Sequence, residues 1–418
     1  MEFLINFCYK SVIYYVANSK NNEILKILLE KINKIEANSF KDCYKLKEIE
    51  IPLCCTSIEN GAFNGCSSLE KITIHPKVTK IGISAFEDCT SLKEITIPPK
   101  ITRIEGSTFR NCKSLKKITI PSSVTEISDF AFFECESLTE IKFLSKNTIF
   151  GRYAFSYCSS LQQIEISSLM TRIGPETFKE CKALKSVKIP PSITIIDKKA
   201  FEECSSLQEI TVPASATSLG ESVFSLCSSL TSATILSPIT VISRYFFNKC
   251  TSLKEFTIPP SVTLIDVNAF RECASLTKIT IPPSVTKIAY SSFRGCTSLT
   301  EIKIPPSVTF VDGNAFYGCS SLKQVEIPSS IPKICAYSFY ECASLEQIKI
   351  PTSITCIGKE AFFGCSSLCQ VDFEEPSSLE EIEDGAFGDC ASLKKITLPS
   401  SIKQIGKNAF PKTEVSKK

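Results

Sequence analysis

The sequence predicts an α/β solenoid of about 16 units of 23 residues, with a parallel β-sheet on one face and short strands and single helical turns elsewhere. Two ladders predict it. Fifteen cysteines from Cys43 to Cys365 recur at an unbroken spacing of 23, and Cys390 follows after 25. Phenylalanine keeps the same step three residues earlier, from Phe40 through Phe63 and Phe86 to Phe362, then Phe387 and Phe410.

Each unit can be justified in order. A clear copy is Leu276, Ile279, Ile281, Pro282, Val285, Ile288, Phe293 and Cys296. The alternating pair Ile279 and Ile281 has the period of a strand with one buried face. Pro282 cannot donate to a ladder and stops the strand at the same place in every turn. Val285-Thr286-x-Ile288 is a second short extended piece, and a helical turn through Ala-Phe is expected to return the chain to its start. One unit offers about seven inward apolar side chains and nothing to cover them, so the core must come from stacking. At a strand spacing of about 4.8 Å, some 16 layers make a curved body on the order of 75 Å along its arc.

The ends are expected to be a helical cap over 1–26, carrying Phe3, Leu4, Phe7, Val12, Ile13 and Val16, and a polar tail over 411–418. Between them, 27–410 reads as one repeat domain. The apolar run Phe3 to Ala17 raises a signal peptide, but it opens with Glu2 and is interrupted by Lys10, so a cap is the preferred reading. No stretch approaches the roughly 20 apolar residues that cross a bilayer, so a soluble chain is expected. Lys+Arg 47 against Asp+Glu 44 leaves a net charge of +3, too little field for a nucleic-acid or membrane surface.

The consensus L-x-x-I-x-I-P-x-S-V-T-x-I-x-x-x-A-F-x-x-C resembles the BspA-like leucine-rich repeats over roughly residues 27–410, with Pro and Ser in the turn in place of an Asn ladder. The resemblance implies a leucine-rich-repeat horseshoe with its sheet on the concave face. It also implies adhesion to host or matrix proteins and a role as a surface antigen. A cytosolic scaffold or receptor module binding a protein partner stands beside it, because a row of unpaired thiols suits a reducing compartment, no N-x-Ser/Thr acceptor occurs, and no signal or anchor is evident.

Little in the sequence carries chemistry. Sixteen of the 22 cysteines occupy one repeated position between a buried Phe and a buried Leu, and read as small core thiols. Cys8, Cys54, Cys55, Cys335, Cys356 and Cys369 lie outside that ladder. His75 is the sole imidazole, and with Cys365 and Cys369 it makes no metal-ligand set. No phosphate loop or catalytic triad can be assembled, so no catalytic residue, cofactor or metal is expected, and the chain reads as a non-enzyme. The threonine ladder, Thr79 to Thr309 and including Thr148, is expected to face outward as favoured strand residues. Units between 143 and 173 lose the Pro and place Asn147 and Met170 at core slots, so they are expected to be the weakest.

Three surfaces remain for a partner. On the concave face, outward positions flank the first Ile of each strand, and the set singled out is Glu255, Thr257, Lys278, Thr280, Glu301, Lys303, Glu326 and Lys349. On the helical side, the residue after the core Phe becomes Tyr317, Tyr340 and Phe363 in three successive units, with Tyr337 nearby. That stripe is read either as a ligand or homodimer contact, or as rings lying half-buried on their turns. Finally, Glu374 and Glu375 break the period and join Glu380, Glu381, Glu383 and Asp384, as a site for a cation or basic partner or as a solvated loop.

Overall fold

Lys278-Ile279-Thr280 forms the strand that its period demands, with Ile279 buried and its neighbours exposed. The Pro282 carbonyl then accepts the Val285 amide at 3.1 Å, closing a turn that sends Val285 inward. Lys287–Ile288 is the second short strand. The computed structural model describes residues 32–410 and 413–418. The contacts of the chain divide it into two units, 1–207 and 208–418. The cap expected over 1–26, and Cys8 within it, lie outside the described residues.

Each unit is a parallel-sheet β-solenoid. Counted by the second strand, from Lys34–Ile35 to Gln404–Ile405, the described residues hold about 17 turns, one more than the 16 expected. In unit 2 the first strands run from Glu209–Val212 to Glu414–Lys417. The last of these pairs with Lys395–Leu398, so a strand occupies half of the polar C-terminal segment 411–418.

The expected helical turns are not there: no helix occurs among the described residues. The Phe-Cys segment is instead a chain of turns whose amides alternate in what they bond. The Asn314, Phe316 and Gly318 amides donate to Ala336, Ser338 and Tyr340 of the next layer, at 3.1, 2.9 and 2.7 Å. The Tyr317 and Cys319 amides donate back three residues, to Asn314 and Phe316, each at 3.1 Å. A helix would keep every bond within the segment. Here the left-handed residues that recur four apart, such as Asn314 (φ 57°) and Gly318 (φ 68°), turn alternate peptides outward to the neighbouring layer. That conformation costs an ordinary residue about 1–2 kcal/mol.

The core lies between these turns and the sheet. Phe293 and Phe316 stack with ring centroids 5.5 Å apart and Phe316 and Phe339 at 5.4 Å, and unit 1 repeats this with Phe63 on Phe86 at 5.5 Å. Each ladder cysteine is buried, and from Cys66 to Cys204 and from Cys250 to Cys390 the S–H donates to the Phe carbonyl of the preceding layer, as Cys319 Sγ does to Phe293 at 3.2 Å. Among the described residues every cysteine is in the thiol form.

Unit 1 contains the layers without Pro. Leu144 and Ser167 stand in its place, and the Ser145 and Ser167 hydroxyls accept the Asn147 and Leu169 amides at 3.1 Å each. Regular sheet pairing lapses there: after Glu140–Phe143 only the isolated bridge Glu165 to Lys188 remains in this unit's sheet row. Met170 is buried as expected, but Asn147 is exposed and Thr148 is buried, against expectation. An amide without partners is costly to bury. Thr148 fills the slot instead and places its hydroxyl on the Val124 carbonyl at 3.0 Å.

Candidate functional site

Three outward surfaces were legible as candidates, and the turns place all of them in unit 2. On the sheet side, Glu255 and Thr257 stand in register with Lys278 and Thr280, and Glu301 and Lys303 with Gln324 and Glu326. Lys349 stands in register with Asp372. All eight of the positions singled out are exposed. A depression of about 710 Å³ lies over this face, and Lys278, Thr280, Glu301, Lys303, Glu326 and Lys349 line it. Glu255 and Thr257 fall outside its lining.

The charges on this face alternate up the column. Lys303 Nζ lies 3.8 Å from Glu326, Lys278 lies 4.0 Å from Glu301, and Lys349 reaches Glu374 at 2.6 Å. Lys303 and Glu326 are about four-fifths exposed, at 80% and 78%, so water screens each pair and none holds the face rigid. The Lys349 ammonium keeps the Glu374 carboxyl below the usual carboxylate range. The surface is therefore wide, polar and close to neutral, suited to many weak directional bonds.

The aromatic stripe does stack. Tyr317 lies on Tyr340 at 4.6 Å, and Tyr340 on Phe363 at 5.1 Å, with planes within 10°. Tyr337 meets Tyr340 at 6.0 Å and a steep tilt. The Arg294 guanidinium caps one end, 4.3 Å from the Tyr317 centroid. At the other end Phe363 lies over Gly388, where a Cβ would meet the ring at 2.6 Å. All four rings are half-buried. Tyr317, Tyr340 and Phe363 cover one another's faces. None of them lines the depression.

The acids around Glu374 are not a free anionic patch. Glu375 binds Lys418 at 2.8 Å, Glu380 binds Lys403 at 2.7 Å, Glu383 binds Lys333 at 3.0 Å, and Asp384 accepts the Lys407 amide at 2.6 Å. His75 Nδ1 accepts the Lys77 amide at 3.3 Å within its own turn. The outward threonines spend their protons along their ladder, as Thr286 does on the Thr263 carbonyl at 3.2 Å.

One surface was missed. In unit 1, Phe130 stacks on Tyr153 at 4.5 Å, Phe133 meets Phe130 at 5.7 Å and Tyr157 at 5.3 Å, and Arg110 lies over Phe133 at 5.3 Å. Phe130, Tyr153 and Tyr157 occupy left-handed positions rather than the column after the core Phe. The signal was a run of aromatics at 130 and 133 followed one unit later by 153 and 157.

Comparison with known proteins bears on the whole of this arrangement. The chain matches the model of the BspA type leucine rich repeat region (6 copies) over residues 33–162, 80–190, 171–300 and 290–417. None of the curated proteins compared matches it. Among solved structures it is similar to a leucine-rich repeat protein from Bacteroides ovatus ATCC 8483, with 29% identity and a TM-score of 0.65 over 86% of this chain and 92% of that one. It is also similar to a leucine rich cell surface protein from Faecalibacterium prausnitzii A2-165, with 26% identity and a TM-score of 0.40 over 82% of this chain and 83% of that one. No helix among the described residues is long and apolar enough to cross a membrane.

Proposed function

The chain belongs to the BspA-type leucine-rich repeat family, and from that premise we propose that it is a non-enzymatic adhesion or antigen protein of the cell surface, whose repeat domain over 27–410 binds host or matrix proteins. The repeat fold is one typically used for binding. The observation that carries the reading is the sheet face of unit 2, where exposed side chains in strict register surround a depression of about 710 Å³. Positions that packing leaves free are where a partner is read. Glu301, Lys303, Glu326 and Lys349 are the residues on which recognition rests.

Antibody labelling of intact source cells, without permeabilisation, tests the location. Surface signal supports adhesion, and signal only after permeabilisation sinks it. One observation favours a cytosolic scaffold as the second reading: every cysteine among the described residues is in the thiol form, an arrangement at home in a reducing compartment.

A further inference from the structure

The two-residue lengthening before Pro376 brings together side chains that the 23-residue register keeps apart. Cys356 and Glu381 become register partners on neighbouring strands, and Glu383 follows two residues along. Cys356 sits on the outward side of its strand yet is only 9% exposed. Its Sγ and one carboxylate oxygen each from Glu381 and Glu383 lie within 4.8 Å of one another. The Cys356 thiol donates to Glu383 Oε1 at 3.4 Å. Glu383 Oε2 accepts the Lys359 amide at 2.7 Å, which fixes the carboxylate and aims its other oxygen at the thiol.

Lys333 reaches across two layers to put its ammonium 3.0 Å from the same Glu383 Oε1. No other oxygen-thiol group among the described residues converges in this way.

We propose that Cys356, Glu381 and Glu383 form a binding site for a zinc-class divalent cation, with a thiolate and two carboxylate oxygens as its three protein ligands. Water completes a tetrahedral set. A thiolate with only two carboxylates favours a borderline-soft ion over calcium or magnesium, which want six or more hard oxygens. Drawing the three atoms onto one ion needs a contraction of about 1 Å, within the reach of side-chain rotation. The Cys356 proton passes to solvent as the sulfur-metal bond forms. Lys333 leaves Glu383, and its side chain, 44% exposed, turns into water.

Titration of the reduced full-length chain with Co²⁺ reads this directly, because a thiolate ligand gives a sulfur-to-cobalt charge-transfer band that carboxylates alone do not. One equivalent of band, displaced by Zn²⁺, is expected in the unaltered protein. Cys356→Ser abolishes it, and Glu381→Gln and Glu383→Gln each weaken binding about tenfold or more. Cys54→Ser and Cys369→Ser, at exposed thiols elsewhere, leave it intact. Lys333→Met strengthens binding severalfold, a gain that misfolding cannot produce. A band that persists in Cys356→Ser, or the absence of saturable binding in the unaltered chain, overturns the site.

Discussion

The thiol row and the charged sheet face of unit 2 are built by the same repetition and respond to charge in opposite ways. Along the inside, Cys250 to Cys390 stack one above another, and burial pushes each thiol above its usual range, Cys319 and Cys390 to about 12. Along the outside, Lys303, Glu326, Lys349 and Asp372 alternate in sign and keep their water. Stacking repeats whatever a column contains. A column that cannot hold charge makes the whole row intolerant of it, and a column that can hold charge cancels it pair by pair.

Alkaline pH should break the inner row with the largest effect. The folded thiols hold their protons more tightly than the unfolded chain, whose thiols lose them near 9. Stability from this source is therefore complete below pH 9 and is lost as pH rises from 9 toward the folded values. Each such thiol removes about 1.4 kcal/mol per pH unit in that window. Melting followed by circular dichroism should be flat from pH 7 to 8.5 and fall steeply beyond it. A decline no steeper than one proton would contradict a row acting together.

Truncating one layer of the row comes next. Phe316, fully buried between Phe293 and Phe339, should cost about 3–5 kcal/mol as Phe316→Ala in denaturant unfolding. The half-buried stripe falls between the two regions. Tyr340→Ser, which removes both stacking neighbours, should cost about 1–2 kcal/mol, and light scattering of the triple change Tyr317→Ser, Tyr340→Ser and Phe363→Ser reads whether the stripe also joins two copies. Least affected is the sheet face. Exchanging Lys303→Glu with Glu326→Lys should move stability by less than about 0.5 kcal/mol while weakening any partner that reads the sign of these positions.

What was legible in the sequence follows the same division. Spacing alone placed Phe316, Cys319 and Ile302 inside and Lys303 and Glu326 outside, because a column that repeats reveals its side. The helical turn failed because Ala-Phe-Tyr-Gly-Cys reads as helix by neighbours, while left-handed backbone at 314 and 318 is signalled only by Asn and Gly four apart. That signal was present at Gly61 and Gly65 too. Thr148 was misplaced because a hydroxyl can satisfy itself on a carbonyl where the Asn147 amide cannot. Glu381 and Glu383 were read among acids for a cation, but Cys356 was not joined to them, because Cys356 and Glu381 pair at a step of 25 residues, not 23. The stripe was seen and the Phe130 cluster was not, since the first lies in one column and the second spans several.

The alternating amides of the turns have an evolutionary consequence. Since each layer gives its neighbour the same set of bonds at the same places, two layers with a third excised between them can still join, and a duplicated layer finds its partners ready. Length is then a heritable variable adjustable in whole steps of 23 residues by recombination within the gene. Other steps occur at Glu374 and Glu375, where the register lengthens to 25, and before the last strand, where Lys395 pairs with Glu414. A lineage can in this way change how many layers it stacks without having to solve the folding problem again.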